Sequence, residues 1–253
     1  MFLITFGDDW TLGTGAWYKP AMPRIVYDNT EINYDDSWRI IVRDYFGCQN
    51  RSINFAAPNS SNQKQFALAK SYFNSKRFAT QLSINSHSHG DTIVLWGLTT
   101  LRRDYKWCSD SKSYEDITLT EEYDDQRNKD RIGYGLNKWC YNNIIATREL
   151  EAEIIHWNMF FKALGIKNYW FDSYNSRNYT IAPSNFFDLR LGNRDLLSRL
   201  CIHHATSNRD SDGRWVQDPI KYALDNKIIN PYTFLPKKEG HRLIAKYFIE
   251  KLS

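Results

Sequence analysis

Cysteine is scarce and dispersed in this chain of 253 residues: there are four, Cys48, Cys108, Cys140 and Cys201, and no CxxC pair. That excludes a disulfide scaffold and gives no zinc-site spacing, so a reducing, intracellular (cytoplasmic) setting is expected. Long hydrophobic runs are missing too. No stretch reaches the ~18 consecutive apolar residues that a membrane span needs, and no basic region precedes MFLITF as it would in a secretory signal. Nor is there an excess of one charge. The 33 basic and 29 acidic residues are scattered and leave a formal net charge of +4, which argues against nucleic-acid or membrane binding.

Aromatic residues are abundant: 9 Trp, 16 Tyr and 14 Phe. Such a stock of rings suits a heavy core, and it also suits a surface that grips sugars or other flat ligands. With 42% apolar and 25% charged residues, the composition is that of an ordinary globular protein. A single domain over residues 1–253 is expected, without internal repeats.

Short apolar runs alternate with helical patterns along the chain. Phe2 to Phe6 (FLITF), Ser52 to Ala56 (SINFA), Thr92 to Trp96 (TIVLW) and Asn168 to Phe171 (NYWF) read as strands buried on both faces, as in a parallel sheet. Ser37 to Gly47 reads as a helix with a Ser N-cap and a Gly stop. Further helices are expected over 62–76, over about 137–164 and over 238–252. In the one over about 137–164, Ile144, Ile145, Ile154, Ile155, Trp157, Phe160, Phe161 and Leu164 form one stripe closed by Gly165. The segments near 102–131 and near 205–214 read as a surface insertion and a loop.

Strands alternating with helices imply βαβ units, and such folds bind ligands at the carboxyl ends of their strands. The ends to inspect are Gly7-Asp8-Asp9, Ala57-Pro58-Asn59-Ser60 and Gly97-Leu98-Thr99. Together with Pro236-Lys-Lys-Glu-Gly-His-Arg-Leu-Ile-Ala245, these ends resemble the four blocks of the SGNH (GDSL) hydrolase family, in order and over nearly the whole chain. The WGLT strand end and the FFKALGI and YWFD segments are also similar to SGNH-like proteins of tailed bacteriophages, which adds a virion-associated setting to the expectations. The resemblance implies an α/β fold, a three-layer α/β/α sandwich around a five-stranded parallel sheet. It also implies acyl-ester hydrolysis by a serine, a histidine, an aspartate and three oxyanion donors.

Carried over residue by residue, those roles fall on altered side chains. The nucleophile position is Asp9, the oxyanion glycine is Asn59, the oxyanion asparagine is Thr99, the histidine is Leu235 and its aspartate partner is Tyr232. Leucine can neither take nor give a proton, so position 235 offers no general base. A carboxylate at position 9 would repel the oxyanion: at ~4 Å and an effective dielectric of about 20 the repulsion is about 4 kcal/mol, roughly a thousandfold in rate. The implied cleft is lined by Asp8, Asp9, Trp10, Asn59, Ser60, Gly97, Thr99 and His241. Within it the resemblance makes Asp8 a residue that fixes the loop and His241 the family's trailing Gly-His.

Other histidines offer less. His87 and His89, alternate on an extended chain, share a face and could ligate a metal, but two ligands without a third read more readily as a solvated loop. His203 and His204 read as a helix end beside a loop. No metal and no cofactor are expected. Three functions stay open: a ligand-binding protein that has lost hydrolysis, an esterase or carbohydrate deacetylase rewired around Asp9, and a structural component using the fold as a platform. The expected ligand is a carbohydrate, an acylated sugar or another small ester-like molecule, and a protein partner is also compatible.

Overall fold

The computed structural model describes residues 1–13, 36–58, 60–84, 88–101, 103–108, 112–118, 142–173, 184–187, 219–230 and 235–253. Strand β1 (Phe2–Phe6), β2 (Ser52–Asn54), β3 (Thr92–Leu98) and β6 (Lys167–Asp172) form one parallel sheet in the order β2-β1-β3-β6. β4 (Arg103–Cys108) and β5 (Ser113–Thr118) make a separate antiparallel pair inside the segment expected to be a surface insertion. The turn between them passes through Lys112 at φ 50°.

Why this sheet is buried on both faces follows from its sequence. β1 and β3 are apolar almost throughout, and every residue of both is buried. Alternate side chains go to opposite faces. Phe2, Ile4 and Phe6 of β1, Val94, Trp96 and Leu98 of β3, and Trp170 of β6 enter one core, while Leu3, Ile93, Leu95 and Phe171 enter the other. The first core is covered by α3 (Asn62–Phe73), α4 (Lys76–Ile84) and α5 (Asn143–Leu164). The second is covered by α2 (Trp38–Tyr45) and the C-terminal α7 (Lys238–Leu252). Two short helices complete the set: α1 (Asp9–Leu12) directly after β1, and α6 (Pro219–Asp225). The architecture is therefore α/β with three layers, as expected.

Four strands are described where five are expected. At the free edge of β6 a parallel bridge pairs Trp170 with Phe186, so the short segment 184–187 stands in the fifth position. Asn158 of α5 holds it there. Its Oδ1 accepts from Asn168 Nδ2 (2.6 Å), Trp170 Nε1 (2.8 Å) and Asn185 Nδ2 (2.8 Å), and Asn185 Nδ2 also reaches the Asn168 carbonyl at 2.7 Å.

Among the described residues the aromatic side chains go largely into the core. Phe6 stacks on Phe55 (4.9 Å) and on Trp96 (4.2 Å), and Trp96 stacks on Trp170 (4.8 Å), so four near-parallel rings cross the sheet from edge to edge. Phe6, Trp96 and Trp170 are register partners, which is why their rings lie at one level.

Three expectations change in detail. The helix expected over 62–76 ends at Phe73, and a further helix, α4, begins at Lys76. α5 begins at Asn143, capped by the Asn142 side chain, and Ile144 and Ile145 are 66% and 55% exposed rather than part of its buried stripe. Ser37 does precede α2, but its hydroxyl makes no capping bond.

Candidate functional site

In the order β2-β1-β3 the chain reverses direction of travel across the sheet between β1 and β3, and their carboxyl ends form the switch point where such folds open a crevice. The first residues there are Gly7 and Asp8. Asp8 caps α1: its Oδ1 accepts from the Trp10 N–H at 3.1 Å, and its carbonyl accepts from Thr11 and Leu12. Ser173, one residue past β6, donates its hydroxyl to the same Oδ1 at 3.5 Å and its N–H to the Leu98 carbonyl at 2.9 Å. A loop-fixing role for Asp8 thus has a visible mechanism, with β1, β6 and the first helical turn tied to one carboxylate.

Thr11 fills the crevice between β1 and β3. A Cβ on Gly7 or on Gly97 would overlap the Thr11 hydroxyl, and one on Gly97 would also lie 2.9 Å from the Phe171 ring. Glycine at both strand ends is what lets the α1 turn sit this close to the sheet. The Thr11 hydroxyl is fully buried and has no hydrogen-bond partner among the described residues.

The second strand end is stitched to the first. Asn54 Oδ1 accepts from Thr5 Oγ1 (2.8 Å) and the Ala56 N–H (3.1 Å), and the Ala57 N–H donates to the Gly7 carbonyl (3.2 Å). Ser60 and Ser61 are buried, and the Ser61 hydroxyl caps α3 by accepting from Lys64. At the third strand end, Thr99 is held by Asn62, whose amide spans its backbone N–H and carbonyl.

Burial decides what these groups can do. Asp8, Trp10, Thr11, Ser60, Asn62, Thr99, Asp172 and Ser173 are each no more than 2% exposed. All eight are shut off from solvent.

Leu235, in the place that the resemblance gives to the histidine, is part-buried. Its side chain packs against the core that contains Leu3, Trp10, Trp38, Phe171 and Phe248. Its carbonyl accepts from the Asn230 N–H at 2.9 Å, next to an antiparallel bridge between Ile229 and Pro236. The backbone of Asp9 opens α1; its side chain lies outside the described residues, as do Asn59, Tyr232, His87, His203 and His204.

His241 is fully buried near the start of α7. Neither ring nitrogen has a hydrogen-bond partner among the described residues, and burial pulls its pKa down to about 3 against a smaller upward pull from Asp36. His89 sits exposed in a 3-10 turn with its ring parallel to Phe78 at 5.9 Å. Among the described residues there is no group of three or more His, Cys, Asp or Glu able to hold a metal, and no helix long and apolar enough to cross a membrane. Cys48 is buried, and desolvation raises its thiol pKa.

Two groups absent from the sequence expectations turn out to organise the site, Asn62 and Ser173. Ser173 had a signal: FDS at the end of β6 repeats the pattern of an apolar run meeting an aspartate seen in FGD after β1. Asn62 had none, since an asparagine in the first turn of a helix reads as a capping residue.

No protein-family model matches the chain, and no curated protein matches it. Among solved structures the chain is similar to the psychrotrophic esterase EstA from Pseudoalteromonas sp., in a structure inhibited by monoethylphosphonate. The identity is 13%, covering 99% of this chain and 96% of that one, with a TM-score of 0.39. It is also similar to the lipase/acylhydrolase from Enterococcus faecalis, at 12% identity over 100% of this chain and 95% of that one, with a TM-score of 0.34. Likenesses this loose carry no weight for function, which has to be read from the chain's own side chains.

Proposed function

We propose that this α/β protein binds a small ligand at the carboxyl edge of its parallel sheet and does not hydrolyse esters there. The observation that supports this most is Leu235. At the position that the SGNH resemblance reserves for a general base stands a part-buried aliphatic side chain packed against the core, with no proton to exchange. The tight seating of Thr11 against Gly7 and Gly97 adds to it, because no serine hydroxyl is presented from α1.

The ligand class that the resemblance suggests is a carbohydrate, an acylated sugar or a similar ester-like molecule. Titration calorimetry against a panel of acetylated and free oligosaccharides, with mass spectrometry of the recovered ligand, tests this. Saturable binding with the ligand recovered intact is the expected result. Release of acetate from a bound sugar would instead favour a deacetylase rewired around Asp9. No binding together with a stable oligomer in light scattering would favour an assembly role, as in a virion.

A further inference from the structure

We propose that His241 is an acid-sensitive latch on the C-terminal helix: when its imidazole takes a proton, the first turn of α7 leaves its seat against the segment that leads into α2. The placement of the ring carries this. His241 is 0% exposed, its two nitrogens have no hydrogen-bond partner among the described residues, and it lies in the first turn of α7, where the helix dipole disfavours a cation. The backbone leaves it little room to shift. Gly240 is pressed against the Ile228 carbonyl and Pro236, and the His241 N–H is bonded to the Lys237 carbonyl at 2.9 Å.

The charged groups among the described residues near it offer no ready counter-ion. Asp36, just before α2, is the carboxylate whose field reaches the imidazole, but Lys238 Nζ already holds it at 3.0 Å. The charged residues of α2 are Arg39, Arg43 and Asp44, of which the last two pair with each other at 2.7 Å. On α7, Glu239 and Arg242 do so at 3.5 Å. The described residues 228–230 and 235–237 bring Lys237 and no acid.

The sign follows from burial. The folded state holds the ring neutral far below the ordinary histidine range, so the seat is fully stable above about pH 6.5 and weakens as pH falls toward 3. Across that window each pH unit favours the released, protonated state by up to about tenfold.

Hydrogen exchange followed by mass spectrometry at pH 7 and pH 4.5, corrected for intrinsic rates, tests the latch. On acidification, peptides from α7 should lose at least tenfold more protection than peptides from α5, and His241→Leu, similar in volume and never charged, should abolish the difference. Should that variant fail to fold, His241→Gln serves the same purpose. Equal loss across α7 and α5, or the same α7 loss in the variant as in the wild type, would overturn the proposal.

Discussion

Asn62 clamps Thr99 by both ends of its side-chain amide: Nδ2 donates to the Thr99 carbonyl at 3.0 Å, and Oδ1 accepts from the Thr99 N–H at 2.9 Å. The pair joins the start of α3 to the end of β3 across 37 residues of chain, wholly out of solvent. Asn62→Leu keeps the bulk and removes both of these buried hydrogen bonds, at a cost of about 1–3 kcal/mol in urea unfolding. Asn62→Asp retains the acceptor but sets a carboxylate against the Thr99 carbonyl, and is expected to be at least as costly.

The hub at Asn158 makes a similar claim at the far edge of the sheet. Asn158→Ala removes the acceptor of Trp170 Nε1 and of the Asn168 amide, while the Asn185 amide keeps its bond to the Asn168 carbonyl. The expected loss is about 2–4 kcal/mol, with a change in near-UV circular dichroism as the Trp96–Trp170 stack loosens. An unchanged melt would mean that segment 184–187 is held by its backbone bonds alone.

Packing around Thr11 predicts an asymmetric pair of variants. Gly97→Ala should destabilise by about 1–3 kcal/mol, since the new methyl meets both the Thr11 hydroxyl and the Phe171 ring. Thr11→Ala should recover part of that loss in the double variant, because it removes one of the two obstacles. Additive losses in the double-mutant cycle would contradict this contact.

Asp8 should behave as a structural cap rather than a reactive acid. Asp8→Asn keeps an oxygen for the Trp10 N–H and should cost little, whereas Asp8→Ala should cost about 1–2 kcal/mol. A larger loss for Asn than for Ala would show that the negative charge itself matters.

Much of this scaffold was legible in the sequence because apolar runs that must be buried on both faces leave few alternatives. Phe2–Phe6 appears as read, β3 runs only two residues further than TIVLW, and α7 spans 238–252 as its amphipathic spacing requires. Gly47 and Gly165 end their helices in left-handed conformation, as glycines placed there should. The hairpin β4–β5 was hidden by strands dense in charge and by a turn that uses Lys112, not glycine or asparagine, at positive φ. Ile144 and Ile145 misled because periodicity records hydrophobic spacing, while exposure depends on whether a neighbour covers that face. Asp8, Gly97 and Thr99 were placed at strand ends by the sequence, and they lie there. Their partners Ser173 and Asn62 lie far along the chain, and only the folded sheet brings them together.

The most direct test of the functional claim is the turnover of p-nitrophenyl acetate and butyrate by the purified 253-residue chain, with Asp9→Ala beside it. Hydrolysis indistinguishable from buffer in both proteins is the predicted result. Turnover well above buffer that disappears in Asp9→Ala would contradict it, and would make Asp9 the nucleophile of a working enzyme.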